Sequence, residues 1–474
     1  MERRTEAKEN AKQQRMRRAQ NRGSVKQALD RVRNAARQRK KERFTALFHH
    51  ITIDLLRLSF LAIKRDAAAG VDGVKWQEYE NLHARVHRGA YRAQPSRRRY
   101  IPKADGRQRP LAVPALEDKI AQRATAAILN QIYEEEFLGF SYGFRPKRSQ
   151  HDALDALLTG IGGTKVSWII DADIQGFFDA VSQEWLVRFL EHRIGDQRII
   201  RLIQKWLKAG VLEDGVVTTS EMGTGQGSVI SPLLANIYLH YVFDLWAERW
   251  RRREATGNVI ITRYADDIVI GFEREADARR FLEMMRTRFE AFALTLHPKK
   301  TRLFEFGRFA THNRARCGLG KPETFNFLGF TLICGKSRQG KFLLKRKTRR
   351  DRMRAKLGEI KEELMRRRHL TIPEQGAWLR QVVKGFFAYH AVPTNIAALA
   401  AFRDHVTRLW WQALRRRSQR DKTTWQPCTK IADEWLPKPK ILHPWPSDRF
   451  AVKHPRWEPY AGKLHVRFCA GGAQ

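Results

Sequence analysis

Tyr264-Ala265-Asp266-Asp267 stands between two apolar runs, Val259 to Arg263 upstream and Ile268 to Phe272 downstream. Runs of that kind read as buried strands, so the two acids fall on the turn of a tight hairpin. Carboxylates held beside apolar strands are costly unless cations neutralise them, which points to bound metal. A four-residue string arises by chance in roughly one chain in a few hundred, and a solvated hairpin tip would look the same. A third acid is required.

Asp173 supplies it, at the end of Val166-Ser-Trp-Ile-Ile-Asp-Ala-Asp, a second strand-like run that leads into Ile174-Gln175-Gly176-Phe177-Phe178-Asp179. Two strand ends can converge on one metal pair. Mg²⁺ prefers hard oxygen ligands, and two ions roughly 3.5 to 4 Å apart can hold both the attacking and the leaving oxygen of a phosphoryl transfer. The expected chemistry is nucleotidyl transfer, with Asp173, Asp266 and Asp267 as catalytic, metal-holding residues and Mn²⁺ as a substitute ion.

Further blocks follow in order: Gly70-Val-Asp-Gly-Val, Tyr100-Ile-Pro-Lys-Ala-Asp-Gly-Arg-Gln-Arg-Pro-Leu, Tyr142-Gly-Phe-Arg-Pro, Gly223-Thr-Gly-Gln-Gly-Ser-Val-Ile-Ser-Pro-Leu-Leu-Ala-Asn, His297-Pro-Lys-Lys-Thr and Phe327-Leu-Gly-Phe. With the Asp173 and Tyr264 blocks they resemble the group II intron-encoded reverse transcriptases, which also act as maturases for their intron RNA. The resemblance spans about Phe44 to the C-terminus. It implies an α+β, right-hand polymerase with fingers, a palm built on an antiparallel sheet, and a three-helix thumb. It also implies intron RNA, a DNA target and primer, and dNTPs as partners, in a bacterial cytoplasm. Some relatives carry a His/Asn-type endonuclease domain with paired Cys motifs, and none is expected here.

The same resemblance assigns individual roles. Ile174 joins the metal set. Phe178, five residues after Asp173, matches a bulky side chain that excludes a 2′-hydroxyl by contact. Lys103 and Arg109 match groups that touch the triphosphate, with Arg97, Arg98, Arg99 and Arg107 as neighbours able to do the same work. Gln226 is placed at the nucleotide, and Lys300 matches a lysine that protonates the pyrophosphate leaving group, with Lys299 as a rival. Two departures stand out: Gly225 stands where the family usually has Pro and is expected to loosen its loop, and Ala69 stands where Pro is common, with a minor effect expected. Gly223-Thr-Gly-Gln-Gly lacks the spacing of a dinucleotide-binding loop.

Composition agrees independently. The chain has 474 residues, 90 Lys+Arg against 50 Asp+Glu and a formal net charge of +40, which implies a polyanionic partner. No apolar run approaches the ~18 residues of a membrane-spanning helix, and no signal peptide is visible. The cysteines Cys317, Cys334, Cys428 and Cys469 are far apart, so neither a disulfide framework nor a zinc ribbon is indicated.

The expected organisation is a basic arm over 1–43, fingers over 44–148, a palm over 149–330, a thumb resembling the maturase X domain over 331–420, and an irregular, basic and aromatic tail over 421–474 whose aromatics either stack on nucleic-acid bases or pack on the thumb. Helices are expected over Gln183 to Leu207 and Ala276 to Phe292, and a purely helical pattern after Lys345. Thr371 reads as an N-cap with Pro373 in the first turn. Arg403, Arg408, Arg415, Arg416 and Arg417 on the last thumb helix are candidates for RNA contact. Two other functions remain open: a splicing cofactor whose polymerase is vestigial, and a cellular reverse transcriptase recruited to defence, CRISPR spacer acquisition or repair.

Overall fold

In the computed structural model, which describes residues 21–63, 80–102, 108–417 and 425–453, part of the basic arm is a helix, α1 (21–38). Val32 and Ala36 on it are buried, and Arg33 and Arg37 both reach Glu135. The Gly70 block and Lys103 lie outside the described residues. Helices α2 (Ile53–Leu61) and α3 (Glu80–His87) precede strands β1 (Ser96–Pro102) and β2 (Gln108–Val113), which pair antiparallel. Helix α4 (Leu116–Tyr133) follows. Ser149 and Asp152 form a capping box that starts α5 (Gln150–Gly163).

Strand β3 (Trp168–Ala172) leads into the short α6 (Phe177–Ala180), then α7 (Gln183–Glu191) and α8 (Gln197–Lys208). The single helix expected over Gln183 to Leu207 is therefore two. The break arises because Asp196, while accepting the Arg198 N–H to start α8, also accepts the N–H groups of Leu47 and Phe48, each at 2.8 Å. Strands β4 (Val211–Glu213) and β5 (Val216–Thr218) complete a finger sheet in the order β2-β1-β4-β5. Helix α9 (Ser231–Leu239) runs through a π-helical turn, His240–Asp244, into α10 (Leu245–Arg253).

Strands β6 (Val259–Tyr264) and β7 (Asp267–Phe272), helix α11 (Glu275–Ala291) and strand β8 (Arg302–Glu305) then complete an antiparallel sheet ordered β6-β7-β3-β8. Side chains alternate across it. Ile170, Ile268 and Ile270 face a core shared with α4, α7, α9 and α11, while Ile169, Val269 and Ile260 face α5 and Phe304. Burial on both faces explains why these strands are continuous apolar runs.

After α12 (Ala310–Arg316), strands β9 (Phe325–Phe327), β10 (Phe330–Lys336) and β11 (Phe342–Thr348) form a three-stranded sheet that runs across position 330/331. Helices α13 (Arg350–Arg366), α14 (Ile372–His390) and α15 (Ile396–Arg415) pack around Leu379, Val383, Phe402, Val406 and Trp410. Thr371 caps α14 in a capping box with Glu374.

Where an irregular tail was expected, α16 (Trp425–Trp435) and α17 (Pro446–Lys453) are helices. The first packs on α14 and α15 with Cys428 and Ala432 buried. Gly376 makes room for it, since a Cβ there would lie 2.4 Å from the Trp435 ring. The second returns to α5, where Arg449 meets Asp155 at 3.2 Å and Phe450 enters the core beside Phe325 and Phe327.

Candidate active site

Register brings the three aspartates to one end of the central sheet. Ala172 on β3 pairs with Ile268 on β7, so the next residue on each strand sets Asp173 across from Asp267. Tyr264 pairs with Asp267, leaving Ala265 and Asp266 as a two-residue turn. Ala265 takes φ +56, the left-handed conformation that hairpin turns of this length require and that glycine usually supplies. Asp173 is anchored through its backbone: its carbonyl accepts the His297 N–H at 2.8 Å, and Thr301 Oγ1 lies 3.4 Å from its amide. The His297 block thus holds the first carboxylate in place. Ile174 is buried and bridges to Leu296.

Electrostatics couples the acids. Asp267 reaches solvent, yet the protein packed around it and the charges of Asp266, Asp173 and Asp171 push its pKa up to about 7. Burial, together with the charge of Asp173, raises Asp266 as well, while Arg109 and Arg263 oppose the rise. The Lys300 ammonium sits 2.6 Å from Asp173 Oδ2. Arg109 on β2 is exposed and close enough for Asp266 to feel its charge, so Arg109, Lys300 and the three aspartates come together. Among the described residues no three His, Cys, Asp or Glu side chains are gathered tightly enough to hold a metal ion. The donor set nonetheless suits one. It consists of hard oxygens under mutual repulsion, and a cation already lies on one of them.

The Gly223 loop joins this site to the fingers. The Thr224 N–H donates to Phe178 O at 2.9 Å, and the Ala112 N–H on β2 donates to Gln226 O at 2.6 Å. Gly227, at φ +113, allows the approach, because a Cβ would lie 2.7 Å from Ala112 O. Gly225 has φ +63. Proline, fixed near −65°, cannot take that conformation, so the course of this loop requires glycine at 225. Phe178 is half-buried, with its ring 5.5 Å from that of Phe177.

The thumb arginines divide. Arg403 is a correction: its guanidinium donates to Ala432 O and to Asp433 at 2.7 Å and is largely covered, so it docks α16. Arg417 donates to Leu370 O, Arg416 lies against Met365 and Arg415 covers the Trp411 ring. Arg408 is exposed. Sequence reasoning missed Arg263, a charge in an otherwise apolar strand directly before the acids. That misplaced charge was the available signal.

Residues 101–332 match the family model described as reverse transcriptase (RNA-dependent DNA polymerase), a span that takes in the whole central sheet. Protein YkfC of Escherichia coli is 34% identical over 59% of this chain and 80% of its own length. The group II intron-encoded protein LtrA of Lactococcus lactis is 35% identical over 45% of this chain, which spans only 37% of that longer protein. An uncharacterized 91 kDa protein in the cob intron of Schizosaccharomyces pombe is 39% identical over 36% of this chain and 21% of its own. Agreement between the matched span and the sheet bearing Asp173, Asp266 and Asp267 leads to one assignment: the chain belongs to the reverse transcriptase family, in its group II intron-encoded branch.

Proposed function

We propose that this chain extends a primer 3′-hydroxyl with deoxynucleoside triphosphates on an intron RNA template, with Asp173, Asp266 and Asp267 holding two Mg²⁺ ions. What carries the reading is the register that sets Asp173 opposite Asp267, with Asp266 in the adjoining turn. When bound, the ions polarise the phosphoryl group and acidify the attacking hydroxyl, and Mn²⁺ serves as a substitute. The chain's own groups do the rest. Arg109 holds the triphosphate through its planar fork of donors, with Lys103 as a second cation for it. Gln226 and Phe178 bound the nucleotide, and Phe178 rejects a 2′-hydroxyl by contact. Lys300 moves from Asp173 to the departing pyrophosphate and delivers a proton.

The partners follow from the branch and from the charge of +40. They are group II intron RNA, bound through phosphates, a DNA target and a primer. Assistance to splicing and mobility of that intron belongs to the same reading, with Arg408, Arg415, Arg416 and Arg417 on the RNA side of the thumb. No described helix is long and apolar enough to cross a membrane, and a bacterial cytoplasm is the proposed location.

Asp266→Asn tests the chemistry. Primer extension on poly(rA)/oligo(dT) should fall by several orders of magnitude while RNA affinity stays within twofold. A variant retaining more than about a tenth of the wild-type rate, worth only ~1.4 kcal/mol of barrier, would remove Asp266 from the metal set.

A further inference from the structure

We infer that Arg263 is a positioning residue, whose guanidinium fixes the Ala265 carbonyl and through it the aim of Asp266 and Asp267. The inference rests on reading those aspartates as the catalytic acids.

Arg263 is fully buried. A guanidinium has five N–H donors in a rigid fork, and here all five are used. Nε donates to Asp244 Oδ1 at 2.7 Å and Nη2 to Asp244 Oδ2 at 2.5 Å and Ser141 Oγ at 2.7 Å, while Nη1 donates to Asn236 Oδ1 and Ala265 O, each at 3.0 Å. A pair that merely neutralised charge would need Asp244 alone. The remaining donors tie the turn to two other segments.

Each partner is itself held. Asp244 lies in the π-helical turn, whose extra residue per turn shifts the register of the helix; its side chain is fully buried against Arg263. Residues 140–142 lie alongside β6: the Arg263 N–H donates to Phe140 O and the Tyr142 N–H to Arg263 O, both at 2.8 Å. Arg145 Nη1 donates to Ser141 O at 2.8 Å. Asn236 Nδ2 donates to Gly143 O at 2.7 Å. Gly143 in turn presses on the turn from the other side, where a Cβ would lie 2.2 Å from Ala265 N. Ala265 therefore keeps an unfavourable left-handed φ because its carbonyl is held by Arg263 and its amide is backed by Gly143. The Tyr142-Gly-Phe-Arg-Pro block thus serves as the rear support of the metal-holding turn.

The test compares Arg263→Lys and Ser141→Ala with wild type. Lysine keeps a charge opposite Asp244 but offers three donors on a flexible stem and cannot reach all four partners. On the complex with primer, template and nucleotide, titration of Mn²⁺ followed by electron paramagnetic resonance should show weaker ion binding. Saturating single-nucleotide incorporation should slow, and both losses should be about 10- to 100-fold. Duplex affinity should stay within twofold. Ser141→Ala removes one hydroxyl and should show a smaller loss of the same kind; if Arg263→Lys does not fold, this variant decides. Folded variants with wild-type Mn²⁺ affinity and rate would overturn the inference, as would a rate that falls only with the unfolded fraction. Asp266→Asn separates the two readings. If it keeps ion binding and rate, the catalytic assignment fails and takes this inference with it. If it loses both while Arg263→Lys and Ser141→Ala lose neither, only the positioning role fails.

Discussion

In the proposed function, Phe178 joins backbone geometry to substrate choice through one side chain. Its carbonyl is held by the Thr224 N–H and its ring is backed by Phe177, so the backbone that carries the ring has little freedom to retreat. A contact gate needs that stiffness, because exclusion of a single hydroxyl depends on a wall that does not yield. Phe178→Ala should therefore raise incorporation of ribonucleotides relative to deoxyribonucleotides in single-nucleotide kinetics. An unchanged ratio in an active variant would make Phe178 a packing residue only. At this scale Asp173, Asp266 and Asp267 were legible because acids at the ends of apolar runs contradict their surroundings. Arg263 broke the same rule, but its partners Ser141, Asn236 and Asp244 are scattered along the chain, and no local pattern links them.

Elements differ in how locally they are determined. Helix α14 begins where Thr371 and Glu374 cap one another, four residues of purely local chemistry, and its start was legible. The break between α7 and α8 was not, because Asp196 turns away to satisfy the backbone of Leu47 and Phe48. Helix α16 depends equally on a distant fact, the space that Gly376 leaves for Trp435. The far end of α14 carries a pH prediction. Burial pushes the His390 imidazole down to about 4, so it is neutral in the folded chain, whereas the unfolded chain takes up a proton near 6.5. The stability this contributes is complete above pH 6.5 and is lost as pH falls toward 4. Between pH 7 and pH 5 the wild type should therefore lose about 2 kcal/mol more than His390→Gln, measured by denaturant unfolding at each pH.

For the molecule as a whole, the charge of +40 was readable from composition, whereas the surface that uses it was not. Of the five thumb arginines, Arg403 serves the fold, and Arg417 is drawn to Leu370 O. Changing Arg415, Arg416 and Arg417 together to Gln should weaken binding to the cognate intron RNA. It should also flatten the salt dependence by about one unit for each phosphate no longer neutralised, while extension on a short unstructured template survives. Filter binding across a salt series, beside splicing at low Mg²⁺, checks this; equal loss of splicing and simple extension would leave the thumb serving the polymerase alone. The return of α17 to α5 has a mechanical consequence. The chain leaves the central body at β11 and meets it again at Arg449 and Phe450, and between these the end of α14 is tied to it as well, where Tyr389 donates to Leu328 O and lies against His151 of α5, ring centroids 4.9 Å apart. A body fastened at one point can swing and twist in any direction. Fastened at several, it keeps its aim, so the thumb is held as a bracket rather than hung as an arm.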